Sequence, residues 1–250
     1  MVDISKGELL QRAYYENSAA SYDSQHLQEA SEHYIALRYI SLMLTQLSAR
    51  TVLDLGCGTG RGLRYLGEHH REMQLIGVDP VAALLRLAAT KKIPSAHLVL
   101  GDGTSLPFAA GSFDAVMELG ILHHVLRPDL VVREMLRVAK KAVFISDSNL
   151  FGQGRKSVRL LKFLLHRAGL WRAAKYIQTQ GKGYLVSEGD GISYSYSVYF
   201  QYRMLARWAK RLIIIPLSVD RAATTLDLPV FTGATVLLCA IRDDATVTEL

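Results

Sequence analysis

The sequence predicts an α/β protein: a seven-stranded, mostly parallel sheet with helices on both faces, an antiparallel last strand, and a helical, aromatic cap inserted between strands five and six. Three observations carry this. An apolar run, Thr51 to Leu55, ends in Gly56, Gly58 and Gly60. Glycines at every second position let a buried strand turn sharply into a helix while a ligand approaches the backbone. Four further apolar strands alternate with helical segments, as in a parallel sheet covered on both faces. The alternation then breaks between Gly152 and Arg211 and resumes with two strands that have no long helix between them.

Taken in order, Leu9 to Gln28 holds Tyr14, Tyr15 and Tyr22 with little apolar period and reads as a broken helix or a flap. Ser31 suits the cap of a helix to about Leu47, because Tyr34, Leu37, Ile40, Leu44 and Leu47 recur at three and four residues. Strand one, Thr51 to Leu55, is followed by a crossover helix over Arg61 to His70 and a second strand, Gln74 to Val78. Val81 to Lys92 is Ala- and Leu-rich and ends in two lysines, which suits a helix C-terminus. His97 to Leu100 is the third strand, Phe113 to Glu118 the fourth, Pro128 to Val138 a helix, and Ala142 to Asp147 the fifth strand.

Within the break, Lys156 to Arg167 reads as a basic amphipathic helix. Val158, Leu161, Leu164, Leu165 and Ala168 share one arc, and Lys156, Arg159, Lys162 and His166 another. A helix from Trp171 to Ile177 continues beyond Gly169, and Gln180 to Tyr202 mixes glycine with six aromatics. Leu212 to Leu217 and Ala234 to Ile241 return to the sheet as an antiparallel edge. Three units are expected: a flap over residues 1–30, a ligand-binding domain over 31–151 and 212–250, and a cap over 152–211.

Composition narrows the function classes. Half of the 250 residues are apolar, enough for a substantial core. Two separated cysteines, Cys57 and Cys239, give neither a disulfide framework nor metal-ligand spacing, so no metal is expected. The absence of a leader pattern at Met1 to Lys6, and of any spanning-length apolar run, points to the reducing cytoplasm. The net charge of +6 is uneven: residues 152–211 hold 12 Lys and Arg against 2 acidic residues, a charge of +10, so the remainder is −4. That asymmetry marks the cap as a layer facing an anionic acceptor or a membrane surface, with the contact at 156–167. Its charges alternate with apolar residues as in a packed helix, which argues against nucleic acid.

The chemistry concentrates at strand ends. Asp79, followed by Pro80, ends the second strand, where a carboxylate can accept both hydroxyls of a ribose. Asp102, followed by Gly103, ends the third and can reach the next part of the same ligand. His123 and His124 follow the fourth strand, and a histidine near its ordinary pKa suits a general base. Packing or capping is the structural alternative for that pair, and the same holds for Glu118.

Together, Val52-Leu53-Asp54-Leu55-Gly56-Cys57-Gly58-Thr59-Gly60, Gly77-Val78-Asp79, Gly101-Asp102-Gly103 with Leu106-Pro107-Phe108, and Phe113-Asp114-Ala115-Val116 resemble the Rossmann-like class I S-adenosylmethionine-dependent methyltransferases, of the small-molecule, type-11-like group. The resemblance runs from about Val52 to Val138. It implies S-adenosylmethionine as cofactor and S-adenosylhomocysteine as product. Asp54, Gly56, Cys57, Gly58 and Gly60 would meet the amino-acid part, Asp79 with Pro80 the ribose, and Asp102 with Gly103 the adenine amino group, with Glu118 close by.

Two departures limit what the resemblance implies. Glu118-Leu119-Gly120-Ile121-Leu122-His123-His124 lacks an Asn-Pro-Pro-Tyr type motif, so nucleobase amino groups are not indicated, and the segment after Gly152 carries no substrate signature. The expected function is methyl transfer, at oxygen, to a small or carrier-linked metabolite. Competing readings are an inactive membrane-docking or binding protein of the same fold, RNA methylation, and NAD-dependent redox chemistry. The last is disfavoured by Gly-x-Gly-x-Gly in place of Gly-x-Gly-x-x-Gly.

Overall fold

The structure, a computed structural model, describes residues 6–19, 22, 31–91, 97–187, 190–217 and 228–242. Parts of the expected flap, with Ser21 and Asp23, and the end of the helix expected to close at Lys92 lie outside the described residues.

One seven-stranded sheet forms the centre. In chain order its strands are β1 (Thr51–Leu55), β2 (Gln74–Asp79), β3 (Leu98–Leu100), β4 (Phe113–Leu119), β5 (Ala139–Ser148), β8 (Arg211–Pro216) and β9 (Thr235–Ile241). Across the sheet the order is β3-β2-β1-β4-β5-β9-β8. The first five pair in parallel, and β9 runs antiparallel to both β5 and β8. The order reverses between β1 and β4, so the crevice outside their carboxyl ends is the natural ligand position.

Alternation along the strands divides the core between two faces. Val52, Met117, Phe144 and Cys239 face α2 (Glu32–Gln46) and α3 (Arg61–His69), where Leu37, Ile40, Leu44, Leu63 and Leu66 are buried. Leu53, Val116, Val143 and Leu238 face α5 (Pro128–Val138), which buries Val131, Val132 and Met135. Ser31 does stand at the N-cap of α2, but its hydroxyl makes no capping bond; its carbonyl accepts from Tyr34 and Ile35 N–H instead.

The remaining elements are α1 (Lys6–Ser18), α4 (Ala82–Thr90), α6 (Lys156–Arg167), α7 (Trp171–Gln178), β6 (Tyr184–Ser187), β7 (Gly191–Tyr194), α8 (Tyr202–Trp208) and α9 (Pro229–Thr232). Strands β6 and β7 form a separate antiparallel hairpin inside what reads from sequence as an aromatic loop. Helix α8 sits on the main sheet, with Leu205 fully buried among the side chains of β5 and β9. Helix α1 packs on α4 and β7, bridging the main domain and the inserted hairpin.

Helix α6 corrects the expected orientation. Three members of its basic arc contact the body: Arg159 donates to the carbonyls of Gly154 (2.6 Å) and Phe231 (2.7 Å), Lys162 to those of Leu150 (3.3 Å) and Gln153 (3.1 Å), and His166 stacks on Phe200 with ring centroids 4.8 Å apart, while Lys156 is exposed. The apolar arc, with Val158, Leu161 and Leu164, is exposed. Carbonyls left unpaired by the turns before and after α6 need donors. Long cationic side chains supply them, and this holds the helix with its polar side inward.

Candidate functional site

The glycines of the loop after β1 have distinct tasks. Gly56, Gly58 and Gly60 all take positive φ, at +70°, +54° and +83°. A Cβ on Gly56 would stand 2.4 Å from Ile121 Cγ2, and one on Gly58 would fill the cavity to 3.2 Å from the Tyr22 hydroxyl. Gly60 instead starts α3 as its N-cap and does not line the cavity. In the first turn of α3, a Cβ on Gly62 would stand 2.4 Å from Asp54 Oδ2.

The cavity at the β1/β4 switch point is lined by Asp54, Gly56, Cys57, Gly58, Asp79, Pro80, Asp102, Gly103 and His124. Glu118 and His123 stand outside its lining. Asp54 is buried, its Oδ2 has no hydrogen-bond partner among the described residues, and burial pushes its carboxyl up to about 7. Asp79 accepts one backbone N–H on each oxygen, from Gly58 (2.9 Å) and Val81 (2.8 Å), and burial raises its pKa to about 6. Each oxygen keeps a second acceptor site.

Asp102 is engaged from within the chain. Its Oδ1 accepts from Thr104 N–H (2.8 Å) and hydroxyl (2.6 Å), and its Oδ2 is paired with Arg12 of α1. Burial raises its pKa, but the Thr104 bonds and the Arg12 guanidinium outweigh burial and hold it below the usual range. Glu118, fully buried, accepts from the N–H groups of Gly120 and Ile121, both at 3.0 Å; burial, then the nearby Asp147, push its pKa well up. It shapes the turn that carries the histidines rather than facing the cavity.

The histidines divide into two roles. His123 Nδ1 lies 2.6 Å from Oδ1 of buried Asp147, and its Nε2 lies 3.4 Å from Asp190 Oδ2. Burial disfavours its cation, but the two carboxylates overcome burial and raise its pKa to about 10. The two carboxylates thus favour the imidazolium form of His123, where the sequence suggested a histidine near its ordinary pKa. His124 lines the cavity; its Nδ1 is 2.6 Å from Ile192 O, a contact that assigns the Nδ1 proton to that carbonyl. Its Nε2 is left facing the Tyr15 hydroxyl at 3.3 Å and Asp190 Oδ1 at 3.3 Å. Atoms of His123, His124 and Asp190 that could ligate a metal lie within 4.8 Å of one another, but the hydrogen bonds and ion pairs above account for all three side chains.

Sequence reasoning missed Asp147, Asp190, Gln11 and Arg12. Asp147, at the end of β5, carried the same strand-end signal as Asp79 and Asp102. Gln11, which accepts from Ile192 N–H and donates to Asp190 O at 3.0 Å, had no such signal.

Residues 53–145 match the family model of the methyltransferase domain. The chain is similar to a malonyl-[acyl-carrier protein] O-methyltransferase of Laribacter hongkongensis, 32% identical over 140 residues that make up 52% of this chain and 46% of that protein. A fatty-acid O-methyltransferase of Mycolicibacterium smegmatis is 28% identical over 113 residues, 45% of this chain and 41% of that one. The chain thus spans less than half the length of these relatives. Among solved structures, magnesium protoporphyrin IX methyltransferase from Synechocystis with bound S-adenosylhomocysteine shares the fold at TM-score 0.57 and 15% identity, over 95% of this chain and all of that one. The PH0226 protein from Pyrococcus horikoshii gives 0.57 at 20% identity, over 92% and 99%. Among the described residues no helix is long and apolar enough to cross a membrane.

Proposed function

We propose that the chain is an S-adenosylmethionine-dependent methyltransferase whose acceptor is a carboxylate oxygen on a small or carrier-linked acyl metabolite. The cavity residues fit the cofactor. The unpaired, buried Asp54 Oδ2 needs a donor, and the cofactor's ammonium is one. The two spare acceptor sites of Asp79 suit vicinal hydroxyls, and the positive-φ glycines leave the backbone open to the amino-acid part. Asp102 would share its carboxylate between Arg12 and the adenine amino group.

When bound, the cofactor supplies a methyl group already activated on a sulfonium, transferred by in-line displacement. A carboxylate is a nucleophile without losing a proton, so a base is not required and positioning carries the rate. The observation that carries the acceptor class is His123: it is oriented by Asp147, already faces a carboxylate, that of Asp190, and the two carboxylates favour its cationic form. An acceptor carboxylate would replace Asp190 there, against the same N–H donor. His124 and Tyr15 border the same space. The names borne by the O-methylating relatives agree with an acyl acceptor.

Calorimetry with S-adenosylmethionine, S-adenosylhomocysteine and NAD tests the cofactor: tight binding of the first two and none of NAD is expected, and absence of binding by the first two overturns it. A transfer assay comparing a fatty acid and a malonyl thioester with the matching alcohol and amine tests the acceptor. Cofactor binding without transfer to any carboxylate would point to the inactive binding protein instead.

A further inference from the structure

The inserted segment turns apolar side chains to solvent from three successive elements. On α6, Leu161 is 55% and Leu164 54% exposed, and no residue of the helix is buried. On α7, which packs against α6, Ile177 is 77% exposed, while Trp171 points inward and donates to Ser195 at 2.9 Å. On β6, Leu185 and Val186 are exposed as well. Both helices thus leave apolar side chains on their outer faces, although Phe163 of α6 packs on Phe151 and Phe231.

We propose that this face docks on an anionic phospholipid bilayer, its apolar stripe entering the interfacial layer and its basic residues meeting the lipid phosphates. Charge selects that occupant. Residues 152–211 carry 12 basic and 2 acidic residues, and Arg155, Lys156, Arg167, Arg172 and Lys182 are exposed around the apolar side chains. A second copy of the chain would bring these five exposed cations onto the same five across a symmetric contact, which like-charge repulsion opposes. An anionic bilayer matches the charge and takes up apolar side chains at several heights at once. The contact goes beyond the proposed chemistry and does not depend on it. It does share a segment with the site, because the hairpin after these helices brings Asp190 and Ile192 to the histidines.

The test is flotation of the full chain with vesicles of phosphatidylcholine alone and with about 30% phosphatidylglycerol. Binding to the anionic vesicles is expected, weakened by raising salt to roughly 0.5 M. The double variant Leu161→Glu with Leu164→Glu should bind at least ~10-fold more weakly, with an unchanged thermal midpoint because both side chains already face solvent. No association with anionic vesicles at low salt overturns the proposal, as does association that the double variant retains. A dimer in sedimentation that the same variant abolishes, without vesicle binding, assigns the face to a second copy and also overturns it. An acidic carrier protein bound through these leucines, again without vesicle binding, has the same consequence.

Discussion

Replacing Asp54 with asparagine should reverse its effect on stability with pH. The carboxyl is buried and its pKa is raised from 3.8 to about 7, chiefly by burial, with the Arg61 guanidinium opposing and Asp79 adding. A raised folded-state pKa means that the stability contribution is complete below 3.8, where both states are protonated, and is lost as pH rises through about 7. A shift of roughly three units corresponds to about 4 kcal/mol of cost at pH 8 and under about 1 kcal/mol at pH 4. Asparagine removes that charge but places an amide N–H where Oδ2 has no partner, a penalty of about 1–3 kcal/mol. Asp54→Asn should therefore be more stable than the parent by about 1–3 kcal/mol at pH 8, and less stable at pH 4. Urea unfolding followed by fluorescence at several pH values measures this, and calorimetry should show weaker S-adenosylmethionine binding at pH 8. Parallel stability curves for the two proteins across that range would refute the reasoning, because the buried charge would then have no influence.

Gly58→Ala should cost about 1–2 kcal/mol, since alanine at φ +54° is strained and its Cβ crowds the Tyr22 hydroxyl, with weaker S-adenosylhomocysteine binding in calorimetry. Asp147→Asn removes the carboxylate that holds His123 protonated, so the His123 pKa, followed by NMR titration, should fall from about 10; an unmoved titration would show that Asp190 suffices. Arg12→Ala should cost less than about 1 kcal/mol, because the pair is partly exposed, yet it frees Asp102 and should speed cofactor association in stopped flow. In the proposed site, His123→Ala should raise the acceptor KM while leaving S-adenosylhomocysteine affinity nearly unchanged.

How far the sequence reveals all this depends on what holds each element in place. Strands β1 to β5 were legible because each is a short apolar run closed by Gly, Asp or Pro, and in β1, β4 and β5 burial on both faces leaves little freedom of register. The cavity residues Asp79 and Asp102 follow from them, as strand ends converge on one edge. The position of α1 was not legible, because it is fastened by Gln11, Arg12 and Tyr15 through polar contacts to residues about a hundred positions away or more. The two arcs of α6 were legible, but not which one faces the body. That depends on the unpaired carbonyls of Leu150, Gln153, Gly154 and Phe231, which exist only once the turns around the helix have formed. The place of His123 after the fourth strand was legible, but its charge state depends on Asp147 and Asp190, one in the next strand and one in the insert.

The position of β9 bears on how the protein is made. β5 pairs with β4 on one side and β9 on the other, and 87 positions separate Ser148 from Thr235. During synthesis at about 5–20 residues per second, the apolar strand Ala142 to Ile145 would wait roughly 4–17 s for its second neighbour. For that interval it is an open sheet edge, able to recruit any extended apolar strand nearby. Yield in cells should therefore respond to chaperones that shield nascent chains, and to translation speed across the insert, even where the finished protein is equally stable.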